Sequence, residues 1–179
     1  MKGKKLGRLA QFWRAIMANV TSAELDWVRE QLPERAWPLF LGMHPADQRH
    51  VLNVARTALK LAEGEPAADK ALLVRCALLH DAGRRQGMLD IWGKVWTVLA
   101  EHYLSAGLRR SLRRRQVRSV LDRPGYALYV YEEHPRMGAA MLRELGMADE
   151  AEIIARHHEP PVEDEPIELT LLRRADEMN

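Results

Sequence analysis

Apolar residues recur at spacings of three and four along most of the chain, which is the pattern of amphipathic helices. Thr21, followed three residues later by Glu24, forms the capping-box pattern of a helix start. Pro45 suits the first turn of a longer helix, whereas the Pro124-Gly125 pair is expected to end one. The predicted helices cover residues 6–20, 21–33, 45–64, 69–81, 91–121, 134–146, 153–158 and 167–176.

One run, Tyr126-Ala127-Leu128-Tyr129-Val130-Tyr131, is rich in residues that favour strands. Its six residues fit either a strand or the start of a buried helix, and no second run is present to pair with it. We therefore predict an all-α fold, a compact bundle of many helices. Residues 1–43 are expected to form a helical extension packed on a domain of residues 44–179. For the basic amphipathic helix over residues 6–20, docking on the domain is favoured over a position on a membrane surface.

The composition is that of a single globular domain. The chain has 179 residues, of which 47% are hydrophobic and 29% are charged, so it is long enough to bury a core. No apolar run reaches the roughly 18 to 20 residues that cross a bilayer, which argues against an integral membrane protein. The single cysteine, Cys76, excludes an internal disulfide, and we expect a cytoplasmic protein. The formal net charge of +2 by itself predicts no polyanionic partner.

The densest local charge is a cluster of seven arginines from Arg109 to Arg123, in which Asp122 is the single acid. We call it the arginine cluster. Such clusters steer anionic substrates or bind nucleic acid. Residues 109–118 contain no aromatic side chain for base stacking, so a nucleic-acid partner is disfavoured. Residues 149–168 carry eight acids, and the favoured interpretation is a solvated helix face that pairs with this acidic segment.

Side chains of the kind that bind metals lie on the apolar faces of several predicted helices. Burying imidazoles and carboxylates without partners costs several kcal/mol, so the fold must pair them or gather them around a cation. A single histidine more often has a hydrogen-bonded structural role, but six of the seven histidines here lie at or near helix ends. A mixed nitrogen and oxygen set suits Fe, Mn, Co, Ni or Zn better than Mg or Ca. The candidate ligands are His50, His80, Asp81, His134, His157, His158 and Asp176.

The order and spacing of these residues resemble those of a known family. His50, then His80-Asp81-Ala82-Gly83-Arg84, then Asp176 resemble the His, His-Asp, Asp signature of the HD superfamily of metal-dependent phosphohydrolases. The pentad is similar to the His-Asp-Ile-Gly-Lys form of its bacterial, HDIG-type branch. Two further elements are found in members that hold two metals: His134-Pro135-Arg136-Met137-Gly138-Ala139 resembles His-Pro-x-x-Gly-Ala, and His157-His158-Glu159 resembles His-His-Glu.

The resemblance implies an HD-domain bundle with a site for two divalent transition-metal ions between its core helices. One ion would be held by His50, His80, Asp81 and Asp176. Asp81 would bridge to a second ion, held by His134, His157 and His158. Arg84 would hold a substrate phosphate in place of the usual lysine, with a salt bridge to a surface carboxylate as the alternative. The implied reaction is hydrolysis of a phosphoester or phosphoanhydride of a nucleotide or related small molecule by a metal-activated water.

Other functions stay open at this level. A non-catalytic module would keep the metal for stability and serve in nucleotide binding or signalling. A di-iron pair on the same scaffold supports oxygen chemistry in some relatives of the family, and we rank this function last. The complete set of seven ligand residues favours catalysis. The substrate, the native metal and the oligomeric state are left open by the sequence.

Overall fold

The computed structural model describes residues 20–84 and 91–179. Within these ranges the chain forms nine α-helices and three 3-10 turns, with no β-strand. The helices are α1 (Ser22–Gln31), α2 (Trp37–Leu41), α3 (Pro45–Leu61), α4 (Lys70–Leu79), α5 (Ile91–Tyr103), α6 (Ala106–Leu112), α7 (Arg123–Glu144), α8 (Ala148–Arg156) and α9 (Ile167–Glu177). The 3-10 turns are Glu34–Ala36, Ala62–Gly64 and Val120–Asp122. The prediction of an all-α fold is confirmed.

One hydrophobic core joins most of the helices. Helices α3 and α4 pack against each other, α9 packs on both, and α8 packs on α4 and α7. Leu52 of α3, Leu78 of α4 and Leu172 of α9 are fully buried in this core. Burying a leucine side chain stabilises the folded state by about 1.5–3 kcal/mol, so these contacts hold the helices against one another. They also bring the carboxyl end of α4 beside α3, α8 and α9.

Helix starts follow the local sequence signals. The capping box at Thr21 is confirmed, because the Thr21 N–H donates to Glu24 Oε2 at 2.8 Å and the Thr21 hydroxyl accepts from the Glu24 N–H. Pro45 lies in the first turn of α3. His44, to which the sequence pattern gives no role, precedes it as the helix cap, and its Nδ1 accepts from the Ala46 N–H at 3.2 Å.

Residues 91–144 differ most from the sequence prediction. The single helix predicted over residues 91–121 is wrong, since α5 and α6 are followed by irregular chain. Pro124 does not end a helix. It lies in the first turn of α7, where a missing N–H costs no hydrogen bond. Residues 126–131 are helical, and the prediction that His134-Pro135 begins a helix is wrong because Pro135 lies inside α7.

The segment before the predicted domain boundary shares the core of the helices that follow. Val28 of α1 and Phe40 of α2 are fully buried in the same cluster as α3 and α4. The helix predicted over residues 6–20 falls almost entirely outside the described residues, and the boundary at residue 44 stays a prediction. None of the helices described is both long and apolar enough to span a membrane.

Candidate metal centre

The seven candidate ligands come together between α3, α4, α7, α8 and α9. They form two neighbouring groups, each of which offers ligand atoms within 4.8 Å of one another. The first group consists of His50, His80 and Asp81, and the second group of His134, His157 and His158. Asp176 adjoins the first group, since its Oδ1 lies 2.9 Å from His50 Nε2 and 3.6 Å from His80 Nε2.

Three of the histidine rings are oriented by the same kind of backbone contact. In each, Nδ1 donates to the carbonyl oxygen three residues earlier: His80 to Ala77 at 2.9 Å, His134 to Tyr131 at 2.6 Å and His157 to Ile154 at 2.7 Å. A carbonyl only accepts, so in the neutral imidazole Nδ1 carries the proton and Nε2 presents a lone pair. All three rings therefore offer a metal-binding nitrogen.

The carbonyl that orients each ring is available for a local reason. His80 and His157 directly follow α4 and α8, where the last carbonyls lack the usual helical donors, although the Ile154 carbonyl also accepts from the His157 N–H at 3.5 Å. His134 lies inside α7, where carbonyls are normally occupied. Because Pro135 has no N–H, the Tyr131 carbonyl four residues before it receives no helical hydrogen bond. Pro135 thus provides inside a helix the acceptor that helix ends provide elsewhere.

Two glycines let the turn after α4 approach α7 closely. A Cβ atom at Gly83 would lie 2.2 Å from the His134 carbonyl oxygen and 3.0 Å from the Gly138 nitrogen. A Cβ atom at Gly138 would lie 3.3 Å from the Gly83 nitrogen. The approach places Asp81 Oδ1 3.2 Å from His134 Nε2 and so joins the two groups.

Buried acceptors without donors mark the middle of the centre. Asp81 is 1% exposed, and its Oδ1 faces Nε2 of His134 at 3.2 Å and Nε2 of His80 at 3.8 Å. His134 Nε2 presents a lone pair and His80 Nε2 lies beyond hydrogen-bond distance, so neither donates to that oxygen. Asp81 Oδ1 and His157 Nε2 are buried without a hydrogen-bond partner. Each such atom costs about 1–3 kcal/mol. A divalent transition metal would satisfy these acceptors together, and the residues present fit one.

Arg84 directs its guanidinium at two of the same residues. Nη1 donates to Asp81 Oδ2 at 3.0 Å, and Nη2 donates to His134 Nε2 at 3.1 Å. The guanidinium carbon lies 5.5 Å from the centre of the Tyr131 ring, and the Tyr131 hydroxyl donates to Glu101. The alternative prediction for Arg84, a salt bridge to a surface carboxylate, is wrong because its partner carboxylate is buried.

The carboxylates of the centre are held in their charged form. Burial would raise the pKa of Asp81, but the Arg84 guanidinium and His80 hold that pKa well below its usual range. Burial also opposes ionisation of Asp176, but the hydrogen bond from His50 Nε2 lowers its pKa. Two ionised carboxylates in a largely buried site attract a cation.

The imidazoles of the second group are held neutral. Burial lowers the pKa of His134 to about 4, and the Arg84 guanidinium acts in the same direction. Burial likewise lowers the pKa of His157, with a further contribution from His80, and that of His158. Neutral imidazole is the form that binds metals, so the second group is ready for a metal at neutral pH.

The centre has a buried side and an open side. His134 is fully buried, whereas His158 is exposed. The His158 ring nevertheless lies 4.9 Å from that of His134, measured between ring centres. The side chains of His50 and Asp176 are 26% and 27% exposed. The candidate ligands are therefore partly accessible to solvent at these three residues.

Most of the arginine cluster is exposed to solvent, as predicted, but the prediction that it pairs with the acidic segment over residues 149–168 is wrong. Arg113 Nη1 instead donates to Glu132 at 2.8 Å and to Glu133 at 3.1 Å, both on α7. The acidic segment pairs elsewhere, as in the 2.6 Å contact between Glu165 and Arg173.

Two features of the centre escape the sequence pattern. Tyr131 supplies both the carbonyl that orients His134 and the ring beside Arg84. The role of Tyr131 could have been inferred from Pro135, which lies four residues later and has no N–H to donate to the Tyr131 carbonyl. The other feature is the close approach of Gly83 to Gly138. In the sequence these residues are visible only as the glycines of the His-Asp and His-Pro motifs.

Comparison with known families agrees with this geometry. A family model described as HD domain matches residues 48–179, most of the chain. The chain therefore belongs to the HD domain family, whose members are typically metal-dependent hydrolases and bind divalent metals. No curated protein and no solved structure matched the chain. Assignment to the HDIG-type branch stays a prediction.

Proposed function

We propose that the chain is a metal-dependent phosphohydrolase that cleaves a phosphoester or phosphoanhydride of a nucleotide or related small molecule. The observation that carries this proposal is the pair of buried acceptors, Asp81 Oδ1 and His157 Nε2, that no donor satisfies. A structural histidine network would pair such atoms. A metal ion would satisfy both atoms as ligands, and membership of the HD domain family supports that interpretation.

Each ligand residue has a role in this proposal. His50, His80, Asp81 and Asp176 hold one divalent ion, and Asp81 bridges to a second ion held by His134, His157 and His158. Bound ions of this kind lower the pKa of a water molecule and polarise a phosphate. The backbone contacts at Nδ1 fix the tautomer and the ring direction of three histidines before any metal binds.

Arg84 is proposed to bind a phosphate of the substrate. Its planar fork matches two phosphate oxygens, and the Tyr131 ring lies beside it. The guanidinium now contacts Asp81 and His134, both of which are assigned to the second ion. Arg84 and that ion therefore compete for the same two residues. A substrate phosphate that draws Arg84 away would favour binding of the second ion.

A nucleotide or similarly small phosphorylated compound is the proposed substrate class. His50, His158 and Asp176 are accessible to solvent, whereas Asp81 between the two groups is 1% exposed. A terminal or exposed phosphate group can reach such a site while the rest of the molecule stays outside it.

The test combines metal analysis with a substrate screen. Metal per chain is measured for the wild type, for Asp81→Asn and for the control Asp149→Asn, which removes an exposed carboxylate in the first turn of α8. Phosphate release is then followed over mono-, di- and cyclic nucleotides with Mn²⁺ added. We expect metal and turnover in the wild type and control, and loss of both in Asp81→Asn with the helical circular dichroism unchanged.

The outcomes separate the candidate functions. Wild-type metal content in Asp81→Asn would overturn the assignment of the ligands. Retained metal with no hydrolysis of any nucleotide would overturn catalysis on this substrate class. Nucleotide binding under those conditions would establish the non-catalytic module instead.

A further inference from the structure

The segment from Leu99 to Arg123 exposes apolar and basic side chains together, and we call it the apolar-basic surface. Of the ten exposed large hydrophobic residues in the described part of the chain, seven lie here. Leu121, Tyr103 and Val120 are the most open, at 90%, 75% and 72% exposed. Neither α6 nor the 3-10 turn Val120–Asp122 contains a buried residue. The seven are Leu99, Tyr103, Leu108, Leu112, Val117, Val120 and Leu121.

The arginines of this surface divide into two sets. Arg109 and Arg113 turn towards the protein, where Arg109 Nη1 donates to the Leu104 carbonyl at 2.9 Å and Arg113 pairs with Glu132. The other five are exposed, namely Arg110, Arg114, Arg115, Arg118 and Arg123. Against these five stands the single carboxylate of Asp122, which accepts from backbone N–H groups within its own turn and offsets one of the positive charges. The solvent-facing side of this surface therefore carries a clear excess of positive charge.

Specific contacts fix this surface on α7. The Arg114 N–H donates to the Gly125 carbonyl at 3.0 Å, and Trp96 Nε1 donates to the Pro124 carbonyl at 3.1 Å. A Cβ atom at Gly125 would lie 2.4 Å from the Leu112 carbonyl oxygen, so glycine permits the close approach. The exposed leucines and valines thus belong to an anchored element, and exposing them has a hydrophobic cost that burial in a partner would recover.

We propose that the apolar-basic surface binds the anionic surface of a lipid membrane. Aliphatic side chains interleaved with arginines suit the boundary between headgroups and acyl chains, where the arginines meet lipid phosphates. Leu108 and Leu112 are four residues apart and share one face of α6. Protein interfaces are enriched in aromatic residues and methionine, whereas six of the seven exposed residues here are leucine or valine. Single-stranded nucleic acid is typically bound by stacking on aromatic side chains, and Tyr103 is the one exposed aromatic among the seven residues.

This inference is independent of the proposed hydrolase activity, but it bears on where that activity occurs. Glu132 and Glu133, which hold Arg113, directly precede His134 on α7. A chain docked through this surface would therefore keep the candidate metal centre close to the membrane.

The test is co-sedimentation of the full chain with vesicles. One set contains phosphatidylcholine alone, and the other an equimolar mixture of phosphatidylcholine and phosphatidylglycerol. The charge variant carries Arg110→Gln, Arg115→Gln and Arg123→Gln. Its matched control changes three exposed cations elsewhere, Lys60→Gln, Lys70→Gln and Arg174→Gln, with the same effect on net charge.

A second pair of variants tests the apolar contribution. Val117→Ser, Val120→Ser and Leu121→Ser together remove three exposed side chains of the surface. Leu41→Ser, Val162→Ser and Met178→Ser remove three exposed apolar side chains from other regions. All of these positions are exposed, so the folded state is expected to persist in each variant, as circular dichroism would verify.

We expect the wild type to bind the anionic vesicles and to be released by salt. The charge variant should bind on the order of a hundredfold more weakly, at about fivefold for each arginine removed. The apolar variant should also lose binding, and both controls should retain most of it. Absence of binding to anionic vesicles would overturn the proposal, as would equal loss in the controls. Binding of RNA or dimerisation through this surface, without vesicle binding, would assign it to those partners instead.

Discussion

Gly83→Ala is expected to disrupt the contact on which the candidate metal centre depends. The new Cβ atom would lie 2.2 Å from the His134 carbonyl oxygen and 2.9 Å from its carbonyl carbon. Carbon and oxygen atoms normally approach to about 3.3 Å, so the turn and α7 must separate by about 1 Å. Both sides of the contact are backbone, which cannot rotate away. We expect a loss of about 3 kcal/mol in the free energy of unfolding, the upper part of the range for overpacking.

Gly107→Ala is the matched control. Gly107 lies in α6, and a Cβ atom there meets nothing within 4 Å. Alanine favours helix over glycine, so this variant should gain about 0.5 kcal/mol. The same chemical change therefore has opposite signs at two positions of one chain.

Urea unfolding followed by far-UV circular dichroism measures both free energies. Metal per chain gives a second readout, because a displaced turn moves Asp81 away from His134 and should lower metal retention in Gly83→Ala alone. A Gly83→Ala protein with wild-type stability and metal content would refute the close approach.

Three further predictions concern other parts of the structure. Pro135→Ala returns an N–H to the helix, which competes for the carbonyl that orients the neighbouring histidine, and metal affinity measured by titration should fall about tenfold or more. Unchanged affinity would contradict this role of the proline. Arg84→Ala should tighten binding of a second metal ion about tenfold or more, whereas Arg136→Ala, which removes an exposed charge on α7, should leave it nearly unchanged. Equal effects would mean that net charge alone matters. Hydrogen bonds from Arg49 hold the pKa of Glu24 far below its ordinary value of 4.5. These bonds therefore stabilise the folded state fully above pH 4.5, and the stabilisation is lost as the pH falls below 4.5 towards the lowered pKa. Glu24→Gln should lower the free energy of unfolding by about 1 kcal/mol at neutral pH and weaken its dependence on pH below 4.5. A pH dependence identical to that of the wild type would contradict this prediction.

The sequence by itself determined the helical class and most helix starts. Apolar residues at helical spacing report directly which face of a segment is buried. Signals such as Thr21 with Glu24, or Pro45, act within a single turn and need no distant partner. The candidate ligands were also evident, because each polar residue interrupts an apolar face.

Tertiary structure decided how residues spread from His50 to Asp176 meet at the centre. Asp81 faces His134 because the turn at Gly83 approaches α7 closely. This contact joins residues that are far apart in the sequence. The position of Arg84 over the same two residues follows from that contact.

Residues 91–135 show why local pattern failed there. Helical spacing continues through residues 113–119, but these residues pack in neither hydrophobic cluster and are not helical. Pro135 ends a helix by local rules, yet α7 continues because its flanks pack on α8 and α5. Local propensity is worth about 3 kcal/mol even at a proline, and the packing of a helix of 22 residues outweighs it. The chain alone thus specifies its helices and its ligands, whereas only packing decides which carbonyl, which glycine and which arginine complete the centre.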